Sequence, residues 1–227
     1  NIMSGFFGAL TAALIYNVIL KINIKIYEDT PSLNRVIAII MAFALAFSKT
    51  FWFQSESAEV YTLSSFFLVL MIYLLIKWTD NKDSKFLYLF SLIFGLSLGA
   101  HISNILFAPA FIVFILLNDY KIVTKKKDIF LMMLLFCLGT SQFLYILWRS
   151  TQNPEFNHIG QIDIYGLIDV ISGKKFGAGT YHPPLTQIPN ILYDYLPFIK
   201  MNFNLWPLIG IIGIWQLFKR NIKIFIL

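Results

Sequence analysis

Residues Phe86 to Leu117 read "FLYLFSLIFGLSLGAHISNILFAPAFIVFILL", 32 residues in a row without Asp, Glu, Lys or Arg. As one helix this run would be ~48 Å long, well past the ~30 Å of a bilayer's hydrocarbon core even when tilted. Gly95 and Gly99, followed by His101, Ser103 and Asn104, supply a break and a polar turn. The run therefore predicts two helices, 86–100 and 102–118, that meet near Ala100–His101. Other apolar stretches predict helices over 2–20, 36–53, 60–78, 129–148 and 203–218. The chain is 58% hydrophobic and 13% charged, against about a quarter charged in an ordinary soluble domain. The expected fold class is all-α, a polytopic transmembrane helical bundle with about seven spans. It divides into a helical core (1–148), a polar loop (149–200) and a further span (201–227).

Charge placement gives this bundle a direction. With a reversal at His101, the connections 21–35, 77–85, 119–128 and 219–223 fall on one side. They carry Lys21, Lys25, Arg35, Lys77, Lys82, Lys85, Lys121, Lys125, Lys126, Lys127, Lys219, Arg220 and Lys223, which is 13 of the 18 basic residues. Without the reversal, the connections after residue 118 change sides and the bias largely vanishes. The positive-inside rule makes the lysine side cytoplasmic. The net charge of +6 is thus a topology signal and points away from nucleic acid. Cys137, the single cysteine, cannot form an internal disulfide and reads as a small buried hydrophobe.

The opposite side then holds Glu56, Glu59, Glu155, Asp163, Asp169, Asp194 and all three histidines (His101, His158, His182), with the long segment 149–200. Any chemistry belongs there, because the lysine-side loops are short and lack a Walker-type phosphate loop. Glu56 and Glu59 are three apart, so on a helix they would share a face. As acids before the span 60–78 they either complement its macrodipole or line a site, the latter favoured for Glu59 by its closeness to the span. His101 either satisfies backbone groups freed by the break or serves the site. "DIYGLIDVI" (163–171) has helical apolar spacing, for a helix lying flat at the interface or packed on span ends. "SGKKFGAG" (172–179) offers Lys174, Lys175 and backbone N–H groups to an anion, or is a solvated turn. No spacing of the histidines with acids makes a metal site, and no Ser-His-Asp arrangement is apparent. The rows Ser4/Gly8/Ala12 and Gly95/Gly99 permit close helix packing.

Four stretches, in order, resemble one family. These are "NIMSGFFGALTAALIY", "SKTFWFQSESAEVYTLSSFFLVLMIYLLIKW", "GLSLGAHISNILFAPAF" and "NPEFNHIGQIDIYGLIDVISGKKFGAG". They are similar to segments of domain-of-unknown-function family 2723, also classed as glycosyltransferase family 117, which includes a transmembrane protein O-mannosyltransferase. The chain departs from the pattern at His158-Ile159, where Trp-Gly is common, and at Ile162, where Pro is common.

The resemblance implies a GT-C fold and a polytopic enzyme that takes a sugar, mannose or another hexose, from a polyprenyl-phosphate carrier. Transfer to a protein or glycan acceptor would take place on the extracytoplasmic face. It implies a bacterial inner (plasma) membrane, or the ER membrane in a eukaryote. The family's base is a carboxylate in an earlier outer loop, expected upstream of residue 1, so the chain is expected to be a fragment that continues at both ends. Glu59 and His101 carry over as supporting catalytic residues. Tyr61, Asn157 and Gly173 also match the pattern. Glu56, Tyr61, Arg149, Asn157, Lys174 and Lys175 are the candidates for substrate binding, with Arg149 and the two lysines for phosphate. No cofactor is specified beyond the lipid-linked donor, and metal dependence stays open. Expected partners are the bilayer, the lipid-linked donor and the acceptor. A transporter or flippase for a lipid-linked or anionic substrate is the rival reading. It predicts inverted repeats and midplane ionisable residues, neither of which stands out. A non-catalytic scaffold subunit is the third.

Overall fold

A computed structural model describes residues 2–27, 30–152, 154–157, 160–174, 189–190, 193, 195, 197, 199–200 and 206–227. Lys175, His158, His182 and Asp194 lie outside the described residues. The described chain is helical, without a strand among them. Its helices are α1 (Ile2–Ile26), α2 (Pro31–Ala46), α3 (Lys49–Glu56), α4 (Tyr61–Asn81), α5 (Ser84–Ala100), α6 (Ala108–Asn118), α7 (Lys126–Thr140), α8 (Gln142–Ser150), α9 (Ile164–Ile171), α10 (Trp206–Arg220) and α11 (Ile222–Ile226). Short 3-10 turns cover Ile102–Phe107 and Tyr120–Thr124.

Three helical stretches are long and apolar enough to cross a membrane: Ile2–Ile26, Tyr61–Asn81 and the combined Lys126–Ser150. The pair α2–α3 makes a fourth if its two pieces form one bent span, and Ser84–Ala100 and Ile102–Asn118 are shorter apolar helices. The fold class is all-α, as the sequence predicts, although the described helices do not establish seven spans.

The chain reverses at His101. The rings of Phe90 and Phe111 lie 5.3 Å apart, and those of Phe94 and Phe111 5.9 Å. Residues 90 and 111 would be ~31 Å apart along one straight helix. His101 breaks the helix by taking an extended backbone (φ −157°, ψ 119°). The following helix opens as a 3-10 turn, so the expected helix 102–118 is α-helical only from Ala108.

The core is built where α4, α5 and α6 meet. Met71, Leu74, Leu75, Trp78, Leu87, Phe90, Phe111, Phe114, Ile115 and Ile122 form one buried cluster. The α4–α5 connection is tight. Lys82 adopts the left-handed conformation (φ 57°), its N–H donates to the Trp78 carbonyl, and Asp83 caps α5 by accepting from the Lys85 N–H. Close approach joins α5 to α7 at Gly95 and Gly139. A Cβ on Gly139 would stand 2.5 Å from the Leu92 carbonyl oxygen, and one on Gly95 would run into the Phe136 carbonyl oxygen. Gly8 of α1 is similarly pressed, its Cβ position being 2.6 Å from Ser55 Oγ. Both small-residue rows serve packing, as read from the sequence.

The outer faces are apolar. α2 buries only the row Asn34, Ala38, Ala42, four apart, and exposes Val36, Ile40, Met41 and Phe43. A soluble monomer rarely leaves so broad an apolar face uncovered, whereas lipid covers it without cost.

Three expectations need correction. The helix expected over 36–53 is two helices, bent by 60° at Phe47–Ser48. Ser48 takes an extended backbone there, and its hydroxyl donates to the Leu45 carbonyl instead of capping the next helix. The helix expected over 129–148 is interrupted at Ser141. Finally, Cys137 is exposed and not buried, because α7 turns Gly139 toward α5 and so presents Cys137 outward.

Candidate functional site

The ionisable and polar side chains collect at two opposite ends of the bundle. At one end, Lys21 and Lys25 both pair with Asp80 at 2.8 and 2.7 Å, and Lys125 pairs with Asp119 at 2.9 Å. Asp128 accepts from Tyr88 and Ser84, and Tyr27 donates to Gln216 with Arg220 over its ring. The connections 21–27, 79–85, 119–128 and 216–223 therefore share one end, the grouping that the charge pattern predicts.

The other end is where α1 and α4 begin and α5 stops. Ser4 Oγ donates to the Glu59 carbonyl at 3.1 Å, anchoring the 57–60 connection on α1. Two residues on, α4 starts at Tyr61, whose ring lies 5.8 Å from that of His101. Glu59, Tyr61 and His101 thus meet at one end of the bundle. The imidazole is half-buried, and its Nδ1 accepts from the Ser103 hydroxyl (2.6 Å) and N–H (3.3 Å). His101 therefore satisfies backbone freed by the break. That leaves Nε2 as the ring atom for other use.

Glu56 and Glu59 do not share a helical face. Glu56 is the last residue of α3, where Trp52 Nε1 donates to its carboxylate at 2.6 Å, and Glu59 sits outside any helix. α3 ends at Glu56 and Ser57 takes an extended backbone, which splits the pair. Both side chains are exposed.

The loop candidates lie on the same end by chain direction. α7 starts beside Ser84 and Tyr88 and runs parallel to α5. Gln142 Nε2 donates to the carbonyls of Gly95 and Leu96, so α8 leaves the bundle past the His101 turn. Arg149, near its end, is exposed and donates to Gln152 Oε1 at 2.9 Å. α9 packs on α8 through buried Leu167 and leaves Ile164 and Ile168 exposed. The amphipathic helix is therefore present, capped by Asp163 accepting from the Gly166 N–H. Ile162 donates its N–H to Ser150 Oγ, a bond that the proline common in the resembled family could not make. Lys174 pairs with Asp169 at 3.5 Å, and Asn157 Oδ1 accepts from the Gly160 N–H. Thr151, Gln161, Ile162, Asp163 and Gly166 border an open groove of about 500 Å³ between α8 and α9. Among the described residues, no hydrogen bond or ion pair brings Arg149 or Lys174 to Glu59, Tyr61 or His101. No group of three or more His, Cys, Asp or Glu among them is placed to hold a metal.

Sequence reasoning missed the residue that fastens this end. Asn104, 3% exposed, donates Nδ2 to the Ser97 carbonyl and accepts from Ser64 Oγ, each at 3.2 Å. It ties the second turn of α4 to both sides of the His101 break. Its signal was a lone Asn inside the apolar run, where an unpaired amide is costly. Thr62, 1% exposed, keeps its hydroxyl oxygen unpaired among the described residues.

The family model described as "Protein O-mannosyl-transferase TMEM260 N-terminal domain" matches residues 1–124. The chain belongs to the TMEM260 N-terminal domain family. The matched region runs from α1 to the 3-10 turn after α6, so it contains Glu56, Glu59, Tyr61, His101 and the Asn104 latch. The resemblance read from the motifs is thereby established for this half. Arg149, Asn157 and Lys174 lie outside the TMEM260-matched residues. No match is found among curated proteins, and none among solved structures.

Proposed function

We propose that the protein is an integral-membrane glycosyltransferase of GT-C type. It transfers a hexose, mannose in the first instance, from a polyprenyl-phosphate carrier to a protein or glycan acceptor on the extracytoplasmic face. One observation carries the reading. In a chain of a protein O-mannosyl-transferase family, Glu59, Tyr61 and His101 gather at the end of the bundle opposite the lysines.

The chemistry suits such an end. An acceptor hydroxyl loses its proton to a base as its oxygen attacks C1 of the sugar. Positive charge that develops on the sugar ring is stabilised by a nearby carboxylate, the role proposed for Glu59. The departing phosphate leaves with its electron pair, so cationic and N–H donors suffice. Arg149, Lys174 and Lys175 are proposed for that part. Glu56, Tyr61 and Asn157 border the substrate, and His101 supports the site while holding the turn.

The test is incubation of the full-length, reconstituted protein with radiolabelled polyprenyl-phosphate mannose and candidate acceptors. Label transferred to protein or glycan, and lost in Glu59→Gln, supports the proposal. Donor moved across the bilayer without transfer contradicts it.

A further inference from the structure

Trp52 and Glu56 make a fixed pair at the Glu59 end of the bundle. Both lie on α3, four residues apart, so they are neighbours on one helix face. Trp52 Nε1 donates to Glu56 Oε1 at 2.6 Å, which leaves Oε2 for other use. Across the bend between α2 and α3, the Trp52 ring stacks on that of Phe47, with 5.5 Å between centres and 21° between planes. Phe47 in turn stacks on Phe43 at 5.8 Å. The indole is therefore held on one face by a ring and at its edge by a carboxylate. Its other face is open, because Trp52 is 48% exposed. α3 itself is pinned to the opening turns of α1, where Ser55 lies against Gly8.

An open aromatic face with a charged acceptor at its edge suits few ligands. A lipid-anchoring tryptophan gives its N–H to headgroups or water, whereas here Glu56 takes the N–H. The carboxylate also repels lipid phosphates. A quaternary ammonium is held by a cage of several rings, and here Phe47 is stacked against Trp52 and does not face it across a gap. A sugar ring fits both parts. Its C–H face carries partial positive charge and lies on the negative face of the indole. Its hydroxyls, at the rim, donate to the carboxylate in charge-assisted hydrogen bonds. We propose that Trp52 and Glu56 form a hexose-binding subsite, with the sugar ring on the open indole face and a hydroxyl on Glu56 Oε2. Glu56 and Glu59 are three residues apart, at most ~11 Å between Cα atoms, so a sugar seated there borders the transfer end. The inference deepens the proposed function and rests on it for the choice of mannose.

The test is saturation-transfer NMR of methyl α-mannopyranoside with the full-length protein in nanodiscs. The variants are Trp52→Ala, Trp52→Phe and Trp215→Ala, the last an exposed indole at the lysine end. The glycoside is expected to bind about tenfold more weakly in Trp52→Ala. The loss is smaller in Trp52→Phe, which keeps a ring, and absent in Trp215→Ala. Polyprenyl-phosphate mannose and a mannosylated peptide are then added as competitors. Displacement by the first assigns the subsite to the donor hexose, and by the second to a glycan acceptor, while displacement by neither overturns it. Unchanged binding in Trp52→Ala would leave Trp52 an interfacial anchor and overturn the subsite, as would equal loss in Trp215→Ala. Preference for choline over the glycoside would assign the ring to a cation and overturn the sugar. Binding is read without transfer, so a protein that binds the glycoside at Trp52 yet transfers nothing refutes the proposed function and leaves the subsite standing.

Discussion

Asn104 and Ser64 are forty residues apart in the chain and 3.2 Å apart in the fold. This one hydrogen bond, with the Asn104 bond to the Ser97 carbonyl, joins the helix that starts at Tyr61 to the turn that carries His101. The ring pair Tyr61–His101 depends on it, because nothing else described in the matched region crosses from α4 to that turn by a side-chain hydrogen bond.

Breaking the latch should therefore loosen the Glu59 end specifically. Asn104→Ala removes the side-chain donor from the Ser97 carbonyl, which keeps the His101 N–H, a loss of about 0.5–1.5 kcal/mol. In a Ser64→Ala/Asn104→Ala double-mutant cycle, the coupling is expected to be about 0.6 kcal/mol, as is usual for hydrogen bonds within membrane proteins. Thermal unfolding in detergent measures both. Coupling indistinguishable from zero would mean that the two residues do not act together.

The α5–α7 crossing makes a sharper steric forecast. Gly139→Ala places a methyl against the Leu92 carbonyl oxygen at 2.5 Å, and overpacking of this kind costs about 1–3 kcal/mol. Gly210→Ala on α10, where nothing lies within 4 Å, should be neutral or slightly stabilising, by up to about 1 kcal/mol, through helix propensity. Comparison of the two unfolding midpoints checks the contrast. Equal midpoints would contradict the close approach.

Acid should weaken the lysine end at Asp119. The Lys125 ammonium bonded to its carboxylate at 2.9 Å holds that carboxyl below the usual range. A carboxyl depressed in the folded state contributes stability that is present above its unfolded value of about 3.9. That stability is lost as the pH falls through the folded value. Asp119→Asn should thus lower stability at neutral pH and flatten the loss of stability below about pH 4. A variant as acid-sensitive as the wild type would show that the pair does not contribute.

The left-handed cap at Lys82 separates backbone from side-chain effects. Lys82→Gly relieves the positive φ but removes the ammonium above Trp78. These terms oppose each other at about 1 kcal/mol each, so stability should change little. Lys82→Ala keeps the strain and loses the contact, and should be the less stable of the two by about 1 kcal/mol. Chemical or thermal unfolding of the pair gives the answer.

Much of this architecture is legible in the residues because length and charge are strict constraints in a bilayer. A 32-residue apolar run had to fold back, and His101 was the polar residue able to satisfy the broken backbone. Lysines clustered in alternate connections had to share an end. The break at Phe47–Ser48 was not legible, since "ALAFSKTF" contains neither Gly nor Pro. The bend is made by the Ser48 hydroxyl turning back on Leu45. The spacing of Glu56 and Glu59 misled for a different reason. Three residues apart means one face only if a single helix holds both, and here a helix ends between them. Cys137 was misplaced because an apolar run in lipid has no preferred buried face until Gly139 chooses one. Asn104 was passed over as part of a polar turn, and its role appears only when Ser64 arrives from another helix.

The account rests on the lysine-bearing connections and the Glu59–His101 end facing opposite compartments. Cysteine accessibility tests it most directly, using Lys126→Cys and Lys174→Cys in a Cys137→Ser background in sealed membranes of the full-length protein. The account predicts that a membrane-impermeant maleimide added from outside labels residue 174 at once, and residue 126 only after the membrane is opened. Labelling of both from the same side would contradict it.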